Sequence, residues 1–348
     1  MRLGRAAGTG SIDGAAQEGQ DLGMDRRRFL VTSIVAMYGG VRGGDAQASG
    51  AVSRLGILSP ETPPPGLLET VREELRQLGH VEGTTLRIDV RTADGNPERL
   101  PVLAAEMVAL TPDVILVINT SAALAAKRST STVPIVITRV ADPVKSGLVP
   151  SLARPGGNIT GVSFTPDVIA VKGLELLKEA LPRLARVGAL CHADNPGAAI
   201  VVSEMERASL QLSLTVNRLP IRHPTELASS FETAARHRVE ALVVVDDAFV
   251  TRHRREIVTA ALEQSLPVLS QYRPFVESGG LMAYGPSTVA MYRRAAHYVD
   301  KILRGAHPRD LRIEQPTKFD LFLNLATARR LGIPLPQSLL VRADEVFQ

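Results

Sequence analysis

From residue 53 onward, short apolar runs alternate with stretches whose apolar residues recur at helical spacing, the pattern of parallel strands joined by helices. The first runs, at 54–58, 85–90, 114–118 and 134–138, read as strands. Between the first two, Leu67, Leu68, Val71, Leu75 and Leu78 repeat at helical steps and Gly79 closes the stretch, so 67–78 predicts a helix. Residues 97–110 and 121–128 predict the next two helices. The pattern then restarts. After Arg154-Pro155-Gly156-Gly157-Asn158 and an extended piece at 159–164, a helix at 168–179 opens a second series, with strands at 187–191, 214–219, 241–245, 267–269 and 281–284 and a long helix at 288–304. Two successive series predict an α/β protein of two Rossmann-like lobes, each with a parallel sheet, rather than one very wide sheet. The expected division is 53–160 for the first lobe, with 287–320 returning to it, and 161–286 for the second. The segment 321–348 has no assigned lobe, and a tail crossing back would give more than one hinge strand.

The first 50 residues read as an address. Arg26-Arg27, followed by Arg28-Phe29-Leu30, stands directly before the apolar stretch 31–38, and Ala46-Gln47-Ala48 supplies small residues where a signal peptidase cuts. Residues 1–48 are therefore expected to be a removable export leader of the twin-arginine type, with Met24 a candidate true start, leaving 300 residues. Its apolar core is too short to span a bilayer permanently, a task that takes about 20 residues. No cysteine stands near the cut to carry a lipid, so a soluble periplasmic protein is expected. A basic tail without export is the alternative.

Composition narrows the function. Hydrophobic residues at 45% and charged residues at 22% exclude a mainly disordered chain. The formal charge of +4 comes from scattered arginines (Arg72, Arg76, Arg207, Arg236 and Arg238 among them) rather than a basic tract interleaved with aromatics, so no nucleic-acid partner is expected. Cys191 is the only cysteine and ends an apolar run; it reads as strand core, and neither an intrachain disulfide nor a cysteine-based zinc site can form. The seven histidines (His80, His192, His223, His237, His253, His297, His307) show no metal-ligand spacing, so no metal and no cofactor are expected. Gly161-Val162-Ser163-Phe164-Thr165 lacks the last glycine of a nucleophile elbow, and no phosphate loop or dinucleotide fingerprint follows the first strand. These absences argue against an enzyme.

In open parallel sheets a ligand sits against the loops that follow the strand C-termini, where helix N-termini present unpaired N–H groups. Those loops supply the candidates. In the first half they are Ser59, Asn119, Thr120, Ser121 and Asp142; in the second, Asn195, Asp246, Tyr272, Arg273 and Tyr284. Arg273 could fork onto an anion, the tyrosines could stack on a flat ligand, and the aspartates could hold an amine, which together suit an amphoteric small molecule. Asn, Asp, Ser and Pro are also common turn and capping residues, and the Asp246-Asp247 pair fits a helix cap as well as a ligand contact.

Several segments carry a resemblance: Leu75-Arg76-Gln77-Leu78-Gly79-His80-Val81-Glu82-Gly83, Asp142-Pro143-Val144, Leu152 through Gly161, Gly279 through Pro286, Glu314 through Phe319, and Leu339 through Val346. With them, residues 54–346 resemble the substrate-binding proteins of ABC transporters, in the family that includes tryptophan-binding members. The resemblance implies a type I periplasmic-binding fold whose lobes, joined by hinge strands, close on a small organic solute and present it to an ABC permease in the membrane. A monomer that meets the membrane only through that permease is expected. By position, Ser59, Thr120, Asp142, Asn195, Asp246, Tyr272 and Tyr284 match the family's cleft-facing loops. His192-Ala193-Asp194, Asp247 and Ser121 depart from the family's pattern, so tryptophan is not assumed as the ligand. A periplasmic ligand sensor and an α/β enzyme with an unrecognised site are the competing functions.

Overall fold

The computed structural model describes residues 52–63 and 65–348; the export-leader reading of 1–48, with Met24, Arg26-Arg27 and Ala46-Gln47-Ala48, lies outside the described residues. The first sheet is wholly parallel and runs β2–β1–β3–β4–β5, built from β1 (Ser53–Ser59), β2 (Leu86–Thr92), β3 (Val114–Ile118), β4 (Ile135–Ala141) and β5 (Ile159–Phe164). The helices α1 (Pro65–Gln77), α2 (Leu100–Ala109) and α3 (Thr120–Ser129) connect its strands. All five residues of β3 are buried because helices cover both faces of the sheet. Ile115 and Val117 pack with α2 and α3 through Leu103, Met107 and Ala122. Val114, Leu116 and Ile118 pack on the other face with Val71 and Leu75 of α1.

The second sheet runs β12–β11–β10–β9–β8–β6–β7. Its strands are β6 (Arg186–His192), β7 (Thr215–Ile221), β8 (Ala241–Val244), β9 (Val268–Ser270), β10 (Met282–Pro286), β11 (Phe319–Asn324) and β12 (Glu345–Phe347). They are parallel apart from the β10–β11 pair, which is antiparallel. On one face, α4 (Pro166–Ala180) and α5 (Pro196–Gln211) pack against Ala241, Val243 and Val245. On the other, α6 (Leu227–Arg236), α7 (Ala248–Arg252), α8 (Arg254–Glu263) and α9 (Pro274–Glu277) pack against Leu242 and Val244. The period of two along this strand divides its apolar residues between two cores.

One further helix, α10 (Thr288–Leu303), leaves the second sheet and returns to the first, where Met291, Tyr292, Tyr298 and Val299 join the core of α1 and β3. The chain then bridges Glu314 to Val162 of β5 and enters β11 in the second sheet, followed by α11 (Leu325–Arg330) and α12 (Gln337–Arg342). Three passages therefore join the sheets: after β5, after β10 and between Glu314 and Phe319. The expected division at 160/161 falls inside β5, all six residues of which belong to the first sheet. Residues 319 and 320, expected in the returning segment, are already β11 of the second sheet, and the tail beyond them supplies that sheet's edge. Among the described residues no helix is long and apolar enough to cross a membrane.

One irregularity matters for function. Strand β4 extends three residues past the expected end at 138, and its register against β5 shifts between Ile137 and Val140. Arg139 lies inside that bulge with φ 54°, the left-handed region where a side chain is strained. Opposite the bulge, Gly161 has φ 135°, and a Cβ there would lie 2.3 Å from the Ile137 carbonyl oxygen. Only glycine allows the two strands to approach this closely.

Candidate functional site

The C-terminal ends of β3 and β4 in the first lobe face those of β6 and β8 in the second across a narrow cavity of about 20 Å³. That is room for about one water. Asn119, Thr120, Arg139, Ala141 and Phe164 line it from the first lobe, and Asn195, Gly197, Val201 and Asp246 from the second. A larger groove of about 490 Å³ between Leu181, Pro182, Ile333 and Pro334 is apolar and is lined from the second lobe alone.

Local rules place each side chain. Asn119, at φ 80°, caps α3: its Oδ1 accepts from the Ser121 N–H at 3.2 Å. Thr120 is buried, and its Oγ1 accepts from the Ala141 N–H at 3.0 Å, tying α3 to the end of β4. Across the cavity Asn195 caps α5, its Oδ1 accepting from the Gly197 N–H at 2.9 Å while its amide donates to Asp247 at 2.6 Å. The two adjacent acids divide the roles that the sequence left open between them. Asp247 is the cap, accepting from the Phe249 N–H at 2.7 Å, with the His192 ring 3.7 Å away. Asp246 pairs with the Arg139 guanidinium of the other lobe and accepts from Thr251 Oγ1 at 3.2 Å.

Arg139 lies 4.8 Å over the ring of Tyr272. Burial works against its charge, but the Asp246 carboxylate, with Tyr292 and Tyr272, outweighs that and raises its pKa. Glu61, in the loop after β1, is pushed up to about 8 by burial; Arg139 opposes the rise, and Asp246 and Asp247 add to it. Burial likewise raises Asp247, against the pull of His192. The centre of the cleft thus concentrates carboxyl groups around one guanidinium, with Arg254 also acting on Glu61.

Of the ten residues expected at the site, Asn119, Thr120, Asn195 and Asp246 line the cavity, and Tyr272 lies beside it under Arg139. Ser59 and Ser121 are not in its lining: Ser59 is buried at the end of β1, and Ser121 is half-buried in the first turn of α3, next to Thr120. Three go elsewhere. Asp142 turns back on its own loop, accepting from the Val144 and Lys145 N–H groups, because its φ of 34° closes a tight turn. Arg273 is exposed and pairs with Glu277 and Glu345 over the rings of Phe322 and Phe347. Tyr284 stacks on Phe319 across the antiparallel β10–β11 pair, centroids 5.8 Å apart. The residues missed are Arg139, Glu61, Phe164 and Gly197. Arg139 carried a signal: a lone charge inside the apolar run 135–141.

Two more contacts cross between the lobes. Lys145 Nζ reaches Glu204 Oε1 of α5 at 2.6 Å, and the Arg252 guanidinium donates to the Asp94 carbonyl.

Residues 65–347 match the sequence profile of the family described as ABC transporter substrate binding protein. The chain is 25% identical, over 260 residues, to a tyrosine-binding protein of Clostridioides difficile (strain R20291), a match covering 74% of each. It is similar to the solved structure of an ABC domain in complex with L-Trp from Streptococcus pneumonia, with 25% identity, a TM-score of 0.79, and coverage of 85% of this chain and 100% of that one. The ligand-free, open structure of a substrate-binding protein with adhesive properties from Clostridium difficile has the same identity and coverage but a TM-score of 0.64.

Proposed function

Because the chain belongs to the ABC transporter substrate-binding protein family, we propose that it captures an amino acid, or a similar small organic solute, between its two lobes and delivers it to a membrane permease. The observation that carries the reading is the meeting of oppositely charged groups from different lobes, Arg139 from β4 and Asp246 after β8, in one cleft. Amphoteric solutes fit such a pair. The aromatic rings of Tyr272 and Phe164 at the same place suit a flat side chain, and the relatives' named ligands, tyrosine and L-Trp, are of that kind. Closure follows from contact: a solute that touches both lobes stabilises only the closed state.

The proposal includes export by the twin-arginine leader, a periplasmic location, a monomer, and binding without turnover. Asn119, Thr120, Arg139, Asn195, Asp246 and Tyr272 are the proposed ligand contacts. A thermal-shift screen of the purified protein against amino acids, purines, sugars and small carboxylates tests it, with L-tyrosine and L-tryptophan first. A solute at 100 times its dissociation constant stabilises by about 2.7 kcal/mol. A shift confined to sugars or purines, or none at all, overturns the amino-acid assignment. For the leader, residues 24–50 fused to a reporter should carry it out of the cytoplasm; a wholly cytoplasmic reporter rejects export.

A further inference from the structure

Arg139 and Asp246 are 107 residues apart in the chain and belong to different lobes, yet their side chains pair across the cleft. Both are largely withdrawn from water, with side-chain exposures of 17% and 12%. Each has its own seat. The guanidinium lies over Tyr272, and Tyr292 of α10 also acts on its charge; the carboxylate takes a hydrogen bond from Thr251. The strained backbone of Arg139 inside the bulge sets the guanidinium at this position in the cleft, and strain of this kind persists only where the surrounding structure enforces it.

Removing one member of a buried ion pair leaves the other uncompensated, and that is strongly unfavourable. A solute entering between the two groups must therefore replace each one's partner. A neutral solute replaces neither, and a simple anion leaves Asp246 without its cation. The other charged groups around the pair are Glu61 from the loop after β1, on which both members act, and Asp247 after β8 and Arg254 of α8, which act on Glu61 as well. A solute of zero net charge leaves the balance among them intact.

We infer that Arg139 and Asp246 form an exchangeable latch: the pair itself holds the lobes together, and the accepted solute carries both a carboxylate and an ammonium that take over the two halves of the pair. The first half is a property of the protein alone; the second rests on the solute-capture reading.

Two measurements test the two halves separately. In extensively dialysed protein, small-angle X-ray scattering should give a larger radius of gyration for Arg139→Gln and for Asp246→Asn than for the wild type. The charge-swapped double variant, Arg139→Asp with Asp246→Arg, should return toward the wild-type value and control for misfolding. Equal radii in the wild type and both single variants overturn the latch. Calorimetric titration with L-tyrosine and L-tryptophan, their decarboxylated amines and their deaminated acids tests the exchange. The zwitterions should bind on the order of 100-fold more tightly than either truncated series, and Arg139→Gln should abolish the preference for the carboxylate. A truncated probe that binds as tightly as its parent overturns the exchange. Failure of every probe to bind rejects both the amino-acid reading and the exchange, while the scattering result still decides the latch.

Discussion

Gly197 of α5 packs against Thr120 of α3 so closely that a Cβ on Gly197 would lie 2.5 Å from Thr120 Oγ1 and 3.0 Å from its Cβ. The two residues belong to different lobes, and Thr120 is fixed by the hydrogen bond from Ala141. Gly197 thus lets the capped ends of two helices, at Asn119 and Asn195, meet without a clash.

Gly197→Ala should keep the fold and impair closure. The added methyl acts only when the lobes meet, and overpacking of this kind costs about 1–3 kcal/mol. Titration with any solute found in the screen should show affinity reduced by roughly 5- to 150-fold. Unchanged affinity would mean that the ligand-bound lobes do not approach at this point.

The second cross-lobe ion pair, Lys145 with Glu204, is expected to contribute less. Lys145 is 47% exposed, whereas Glu204 is 4% exposed and keeps Arg207 at 2.9 Å when Lys145 is lost. Lys145→Met should weaken solute binding by no more than about five-fold at low salt, the range of exposed pairs. At about 1 M salt, where the screening length falls to about 3 Å, the difference should vanish. A salt-independent loss would place Lys145 in contact with the solute instead.

Glu61 makes stability depend on pH in an unusual direction. Its folded pKa, about 8, lies above the ordinary 4.5, so between those values the folded protein holds a proton that the unfolded chain has released. The stabilisation is fully present below about pH 4.5 and is lost as pH rises through about 8. Urea unfolding between pH 5 and 8.5 should show this downward slope, and Glu61→Gln should flatten it. Asp247, also raised by burial, adds a slope of the same sign that this variant leaves in place.

Asp247→Ala should destabilise without touching the latch. It removes the cap of α7, worth about 1 kcal/mol, and leaves the buried Asn195 amide without its acceptor, worth about 1–3 kcal/mol more. A fall in the urea midpoint is expected, with solute affinity reduced far less than by Asp246→Asn, since only the orientation of Asn195 is loosened. The reverse outcome would give Asp247 the role assigned to Asp246.

The fold was largely legible because its signals are local. The continuous apolar run of β3 and the helical spacing of α1 each state their own conformation, and the restart after Gly157 shows two layers of the same design. The bulge at Arg139 was not legible, because the extra residue exists only through the register of β4 against β5 and the close approach of Gly161. The tail resisted assignment for a similar reason: β11 mixes half-buried and buried residues, β12 has three half-buried ones, and the strand that pairs with β11 on its inner side lies elsewhere in the chain. At the site, capping residues such as Asn119 and Asn195 were readable from their place after strands. The same rule selected Asp142 and Arg273, whose local turn and surface ion pairs take them away from the cleft. Which of Asp246 and Asp247 faces the other lobe depends on Arg139, a partner 107 residues distant.

The return of α10 to the first lobe has a consequence for the order in which the protein can be made. Tyr292, Tyr298 and Val299 fill the face of the first sheet that α1 covers only in part, and Glu314 bridges to Val162 on β5. A ribosome must therefore reach beyond residue 314 before the lobe begun at Ser53 can bury its own core. Until then the nascent chain presents an unfinished apolar face, a state that invites chaperones or aggregation. Completion of the first lobe thus waits on residues that are translated after the five strands β6 to β10 of the second.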